Sequence, residues 1–149
     1  MAEALKTTSA YATPLMDVRA WIVEDEKICL VRGQGENDWA LPGGFGEVGY
    51  SPTENILKEI EEETGFEAKV ERLLAVFDTN RFQLQSKQYA KFVFECKLLD
   101  GQFQKNQEIA DLQFFAIDQL PALSEKRITK EQIEILWQVY KGQKEQYLD

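Results

Sequence analysis

Between Asp17 and Val23 the chain alternates, with Val18, Ala20 and Ile22 on one face of an extended segment, because successive side chains of a strand point to opposite sides. Glu24-Asp25-Glu26 then turns the chain and Lys27 to Arg32 supplies a partner, so the stretch predicts a β-hairpin. Polar Gly33 to Asp38 reads as a loop, and Trp39-Ala40-Leu41 as a short extended piece leading into glycines at 43, 44, 46 and 49. From Ser51 the signals turn helical. Ser51 is a good N-cap, Pro52 sits where a missing N–H does no harm, Glu54 completes a capping box, and Gly65 offers a left-handed C-terminal cap. Glu67 to Asp78 and Tyr89 to Leu99 read as longer strands, the second placing Phe92, Phe94, Cys96 and Leu98 on one face. Asp100-Gly101 predicts a tight turn into Gln102 to Lys105, and Leu112 to Ile117 another strand. Thr129 caps a second helix with Gln132 three residues on, and Ile133, Leu136, Val139 and Tyr140 form its buried stripe. Strands before, between and after two helices predict a mixed α/β sandwich.

The first helix is divided by charge. Ile56, Leu57, Ile60 and Thr64 make a mostly apolar stripe, while Glu59, Glu62 and Glu63 fall within an arc of roughly 100°. Like charges at these spacings oppose a helix by about 0.2–0.5 kcal/mol per pair, so the stack is either solvated or neutralised by a cation. Carboxylate oxygens suit magnesium or manganese. The glycines ahead of the cap leave backbone groups uncovered, so that carbonyls can reach a metal and a phosphate can approach closely. Taken alone, the charges favour a solvated acidic helix after a flexible turn, because charge runs are usually solvated faces.

Composition narrows the chemistry. A chain of 149 residues, 44% hydrophobic, is about one domain with enough apolar side chains for a core. There is no internal repeat, low-complexity tract or linker. Two cysteines, Cys29 and Cys96, stand far apart and there is no histidine, which excludes zinc chemistry and a Cys–His nucleophile and leaves reduced thiols as the expectation. No apolar run approaches membrane-spanning length and the N-terminus lacks the apolar centre of a signal peptide, so a cytoplasmic location and no membrane partner are expected. The net charge of −9 argues against general nucleic-acid binding. It repels a nucleotide diphosphate as well, and a metal at the site would have to screen the phosphates.

Residues 43 to 66 resemble the Nudix box, Gly-x5-Glu-x7-Arg-Glu-U-x-Glu-Glu-x-Gly-U, where U is a bulky apolar residue. Gly44 takes the first glycine, Glu59 the glutamate after the arginine, Ile60 the first U, Glu62 and Glu63 the acidic pair, Gly65 the last glycine and Phe66 the last U. Tyr50 stands where the box has Glu, and Lys58 where it has Arg. Tyr11 to Ala20, Trp39 to Gly44, Glu108 to Phe115 and Asp118 to Pro121 are similar to one bacterial Nudix subgroup, described as pyrophosphatases for ADP-ribose or CDP-choline. In that subgroup the position of Tyr50 is often non-acidic, and an additional N-terminal helical segment is usual. Only ten residues precede Tyr11 here.

The resemblance implies a Nudix-type α/β/α sandwich with a mixed β-sheet over residues 14–149, behind an N-terminal extension at 1–13. It implies hydrolysis of the diphosphate linkage in a nucleoside diphosphate derivative by metal-activated water, with Mg2+ or Mn2+ as cofactor. Glu59, Glu62 and Glu63 are the expected metal ligands, Glu59 and Glu63 most directly, helped by a carbonyl of Gly43 or Gly44. Glu63 and Glu62 are expected to take part in catalysis, and Glu62, Glu108 or the activated water itself is the general base. Arg19, Arg32, Gly43 and Tyr50 are the expected substrate-binding residues, the arginines through bidentate phosphate contacts. Tyr11, Trp39, Phe45, Tyr50 and Phe82 are candidates to stack on a base, with core packing as the alternative for each. Glu47 is a candidate outer ligand, and Glu61 lies off the acidic face. A homodimer is common among relatives. Tyr50 and Lys58 keep open a second class, a Nudix-like nucleotide-binding sensor with weak turnover.

Overall fold

The structure, a computed structural model, describes residues 13–78 and 88–149. Among the described residues nine strands make two sheets and two α-helices pack on them. β1 (Leu15–Trp21), β5 (Gly43–Phe45), β6 (Phe66–Asp78), β7 (Tyr89–Gly101) and β9 (Tyr147–Leu148) form a mixed sheet in the order β5-β1-β7-β6-β9, β1 running parallel to β7 and antiparallel to β5. In the second sheet β3 (Lys27–Gly33) pairs along one edge with β8 (Ile109–Ala116) and along the other with the two-residue strands β2 (Val23–Glu24) and β4 (Trp39–Ala40).

The helices cover opposite sides. α1 (Pro52–Thr64) packs Ile56 and Ile60 on Val18, Ala20, Ile22, Phe94 and Cys96. α2 (Lys130–Tyr140) packs Ile133, Leu136 and Val139 on Trp21, Leu74, Phe77 and Val93. β1 is therefore buried on both faces, which explains why a strand whose alternation looked one-sided also hides Asp17, Arg19 and Trp21. Both helices carry the capping boxes their sequences predict, Ser51 with Glu54 and Thr129 with Gln132, and Gly65 ends α1 in the left-handed region at φ 80°.

Two expectations are corrected. The hairpin is reduced to β2 and β3, joined at Asp25 and Glu26 with φ of 52° and 63°. At Ile22 the chain leaves β1, which has β5 and β7 as neighbours, and enters the other sheet, so the alternation of 17–23 belongs to a strand between the two helices. Asp100-Gly101 does not form a tight turn. β7 continues through Gly101, which pairs with Phe66, because β6 begins directly after the cap of α1 and needs a partner along its whole length. Residues 102–108 are a loop, and β8 starts at Ile109, ahead of the expected Leu112.

Candidate active site

A glycine strand and an acidic helix are pressed together at the gap between the two sheets. Gly43 stands opposite Arg19 and Gly44 opposite Val18. At Gly44 a Cβ would lie 3.0 Å from the carboxyl carbon of Glu59, so the missing side chain is what lets that carboxyl rest on the strand backbone. One residue earlier, the Gly43 N–H donates to Glu63 Oε1 at 3.0 Å. β5 is thus bonded to α1 by the Glu63 carboxylate, with the Glu59 carboxylate one helical turn away lying close against Gly44.

A third carboxylate arrives from the loop before β8. Asn106 Nδ2 donates to the Glu63 carbonyl at 3.1 Å, and Asn106 Oδ1 accepts from the N–H groups of Glu108 and Ile109, both at 3.0 Å. These bonds tie the loop to the end of α1. Arg19, Gly43, Phe45, Glu63 and Glu108 share one open cavity of about 390 Å³, with Glu36 and Arg127 on its wall. Small-molecule sites commonly have volumes of this order.

The charges are strained by burial. The Glu63 carboxyl is pushed up to about 8, first by loss of water; Arg19 and the Gly43 N–H pull it down, and Glu59 and Glu108 push it up further. Glu59 is raised by burial, then by Glu62 and Glu108, with Lys58 and Arg19 opposing. Glu108 thus disfavours ionisation of both and Arg19 favours it. The guanidinium is firmly aimed: Arg19 Nε donates to Asp17 Oδ1 and Nη1 to the Leu41 carbonyl, each at 3.0 Å, and the Asp17–Arg19 pair is buried.

Carboxylates that burial and repulsion hold back from ionisation, beside open backbone and with no imidazole or thiol in the lining, form an oxygen donor set suited to magnesium or manganese. Among the described residues no three acidic or sulfur ligands are already gathered on one point. The set is a helix pair with outlying carboxylates rather than a finished cage.

The remaining expected residues lie at different distances from this centre. Glu62 faces outward and meets Lys58 Nζ at 2.9 Å; the same ammonium reaches Glu47 at 3.0 Å and lies 5.5 Å from the centroid of the exposed Tyr50 ring. Hydrogen bonds to Glu62 and Glu47 hold Lys58 firmly in its charged form. The two departures from the Nudix box therefore meet in space, as a cation over an aromatic face. Tyr50 is outside the cavity lining. So is Arg32, whose Nη1 donates to the Glu36 carbonyl at 3.1 Å and whose guanidinium lies 5.7 Å from the Trp39 ring. Trp39 is buried against Phe115, whereas Phe45 is exposed at the cavity and 5.2 Å from Tyr89. Tyr11 and Phe82 fall outside the described residues, as do positions 1–12 of the N-terminal extension.

Four residues were not singled out by the sequence: Asp17, Asn106, Glu36 and Arg127. The Asp17-x-Arg19 spacing could have signalled the first, since strand residues two apart share a face. No local pattern marks the others, whose partners are distant in sequence.

Fold and site together define an α/β/α protein with a small-molecule cavity walled by an acidic, glycine-clamped helix. A model of the NUDIX domain matches residues 14–137, and the chain belongs to that family. It is 42% identical over 129 residues to YjhB of Bacillus subtilis (strain 168), which carries a provisional ADP-ribose pyrophosphatase name; the match covers 85% of this chain and 62% of that protein. A crystal structure of a UDP-X diphosphatase superposes with a TM-score of 0.94 at 90% identity, covering 99% of this chain and 73% of that one. An ADP-ribose pyrophosphatase from Streptococcus suis 89-1591 superposes with a TM-score of 0.81 at 33% identity, over 92% of this chain and 100% of its own.

Proposed function

We propose that the chain is a magnesium- or manganese-dependent hydrolase of the diphosphate linkage in a nucleoside diphosphate joined to a second group. The compounds in the names of its relatives, ADP-ribose and UDP derivatives, are first candidates, with CDP-choline beside them. The observation that carries the reading is the clamp of Glu59 and Glu63 on the backbone of Gly44 and Gly43, opening into the cavity shared with Arg19 and Glu108.

In this reading Glu59, Glu63 and the Gly44 carbonyl would hold the cation, and Glu62, here paired with Lys58, would be a further ligand. A cation bound there supplies Lewis acidity toward phosphate oxygens and water. Arg19, with Nε and Nη1 engaged by Asp17 and Leu41, turns its remaining N–H groups to a phosphate oxygen. Exposed Glu108 at the lip accepts a proton from the attacking water. Phe45 offers a flat face to a base, while Tyr50 and Lys58 buttress the turn between β5 and α1. Both cysteines are buried and free, which supports a reducing compartment such as the cytoplasm. Among the described residues no helix is long and apolar enough to cross a membrane.

Incubation with ADP-ribose, a UDP-sugar, CDP-choline and nucleoside triphosphates, with and without magnesium or manganese, tests the proposal. The expected result is metal-dependent release of a nucleoside monophosphate from at least one diphosphate-linked compound. Tight binding with no turnover under any metal would replace the hydrolase by a nucleotide-binding module.

A further inference from the structure

The cavity wall away from the acidic helix carries a charged pair with no role in the chemistry above. Glu36, between β3 and β4, and Arg127, ahead of α2, are 91 positions apart in sequence, yet Arg127 Nη1 lies 3.1 Å from Glu36 Oε1 and 2.9 Å from Oε2. Both side chains are partly exposed and both line the cavity. One nitrogen serves both carboxylate oxygens, so Nε and Nη2 of Arg127 and further lone pairs of Glu36 are available to a ligand.

Both loops are anchored from behind. The Glu36 N–H donates to the Gly33 carbonyl at 3.1 Å, its own carbonyl accepts from Arg32, and its carboxylate fills the space a side chain at 33 would need. The Ser124 N–H donates to the Trp39 carbonyl at 2.8 Å, and the Arg127 N–H to the Ser124 carbonyl at 2.8 Å. From below, the fully buried Lys91 Nζ donates to the Arg127 carbonyl and, at 3.1 Å, to Gln132 Oε1. An exposed ion pair contributes little to stability. What the pair does offer is charge on the cavity wall, on loops held in place from behind, Arg127 by Lys91, and that placement is better explained by recognition.

The chemistry of the pair states what it would recognise. It is neutral as a unit but sets acceptors beside donors. A terminal phosphate would meet Arg127 and be repelled by Glu36, and a quaternary ammonium the reverse. A neutral, hydroxyl-rich group can donate to the carboxylate and accept from the guanidinium at once. We infer that Glu36 and Arg127 are the specificity residues for the second group of the substrate and select a neutral polyhydroxylated sugar. The inference rests on the proposed function for the identity of the diphosphate end.

Its test uses methylene-bridged, non-hydrolysable nucleoside diphosphate analogues, so that binding is read without turnover. The second group is a sugar, a choline-type cation or a terminal phosphate, and binding to the full chain is measured by calorimetry in saturating magnesium. Wild type is expected to prefer the sugar analogue by about tenfold or more, a difference of about 1.4 kcal/mol. Glu36→Gln should lose that preference and shift toward the terminal phosphate; Arg127→Gln should lose it and shift toward the cation. Melting curves confirm that both variants fold. Equal weakening of all three analogues in both variants, or no preference for the sugar in wild type, would overturn the inference, as would failure of wild type to bind any of them. A wild type that binds as expected but hydrolyses none of the native compounds leaves the recognition intact and removes only the hydrolase reading.

Discussion

The two helices begin alike and serve different ends. Each opens with a reciprocal capping box, each lays an apolar stripe on the sheets, and each has one buried ionisable group at its packed surface. In α2 that group is Lys91, supplied by β7, fully buried and spent on Gln132 and the Arg127 carbonyl. In α1 it is the helix's own Glu63, which lies on the cavity wall and, among the described residues, takes the Gly43 N–H as its one hydrogen-bond donor. α1 also buries Asn55, whose Oδ1 accepts from the Glu47 N–H at 3.0 Å and whose Nδ2 donates to the Tyr50 carbonyl at 3.3 Å, stitching the glycine loop to the helix. A buried charge sealed among its own partners is architecture; one at the wall of a cavity, with spare lone pairs, is available for chemistry.

Crossed substitutions test this contrast most strongly. Ile133→Ala in α2 should cost about 2–5 kcal/mol of stability by leaving a cavity, with kcat per folded molecule retained. Glu63→Gln in α1 should leave stability level or higher, since it removes a desolvated acid, while turnover falls by about 100-fold or more. Urea unfolding and single-turnover assays on both variants separate the two. A stability loss from Glu63→Gln equal to that from Ile133→Ala, with rate retained, would make the helices equivalent.

The next largest effect is a pH slope. Burial lowers the Lys91 ammonium to about 7, Asp17 opposing and Arg19 adding. The unfolded chain keeps the ordinary value of about 10.4, so between these limits it binds a proton that the folded chain lacks, and stability rises with pH. The Lys91 contribution to unfolding free energy should gain on the order of 2–3 kcal/mol between about pH 7 and pH 9, offset in part by Glu63, whose raised carboxyl loses stability as pH climbs through about 8, so the difference between wild type and Lys91→Met should grow by that amount over the same range. An unchanged slope in the variant would locate the proton elsewhere.

The smallest effect separates the caps. Ser51→Ala and Thr129→Ala should each cost about 1 kcal/mol. The loss should be somewhat greater at Thr129, because Gln132 Oε1 accepts both the Thr129 N–H and Lys91, and its Nε2 is already buried without a partner among the described residues. Equal losses in thermal melts would show that Lys91 does not reinforce the second cap.

Local chemistry made much of this protein legible in one dimension. Ser51, Pro52, Glu54, Gly65, Thr129 and Gln132 act through neighbours a few residues away, so both helices could be bounded from the chain alone. The spacing of Glu59, Glu62 and Glu63 likewise announced an acidic helix behind a glycine loop. What the spacing could not decide was how that acidic face divides. Glu63 turns in to the Gly43 N–H, Glu59 lies on Gly44 and Glu62 turns out to Lys58, because β5 approaches the helix from one side only. The switch of sheets at Ile22, the Asn106 tie that brings up Glu108, and the meeting of Glu36 with Arg127 depend on contacts between residues far apart in sequence. Capping and periodicity are short-range and leave a signature in the order of residues, whereas a cavity is made by the packing of distant segments and exists only once the two sheets have come together.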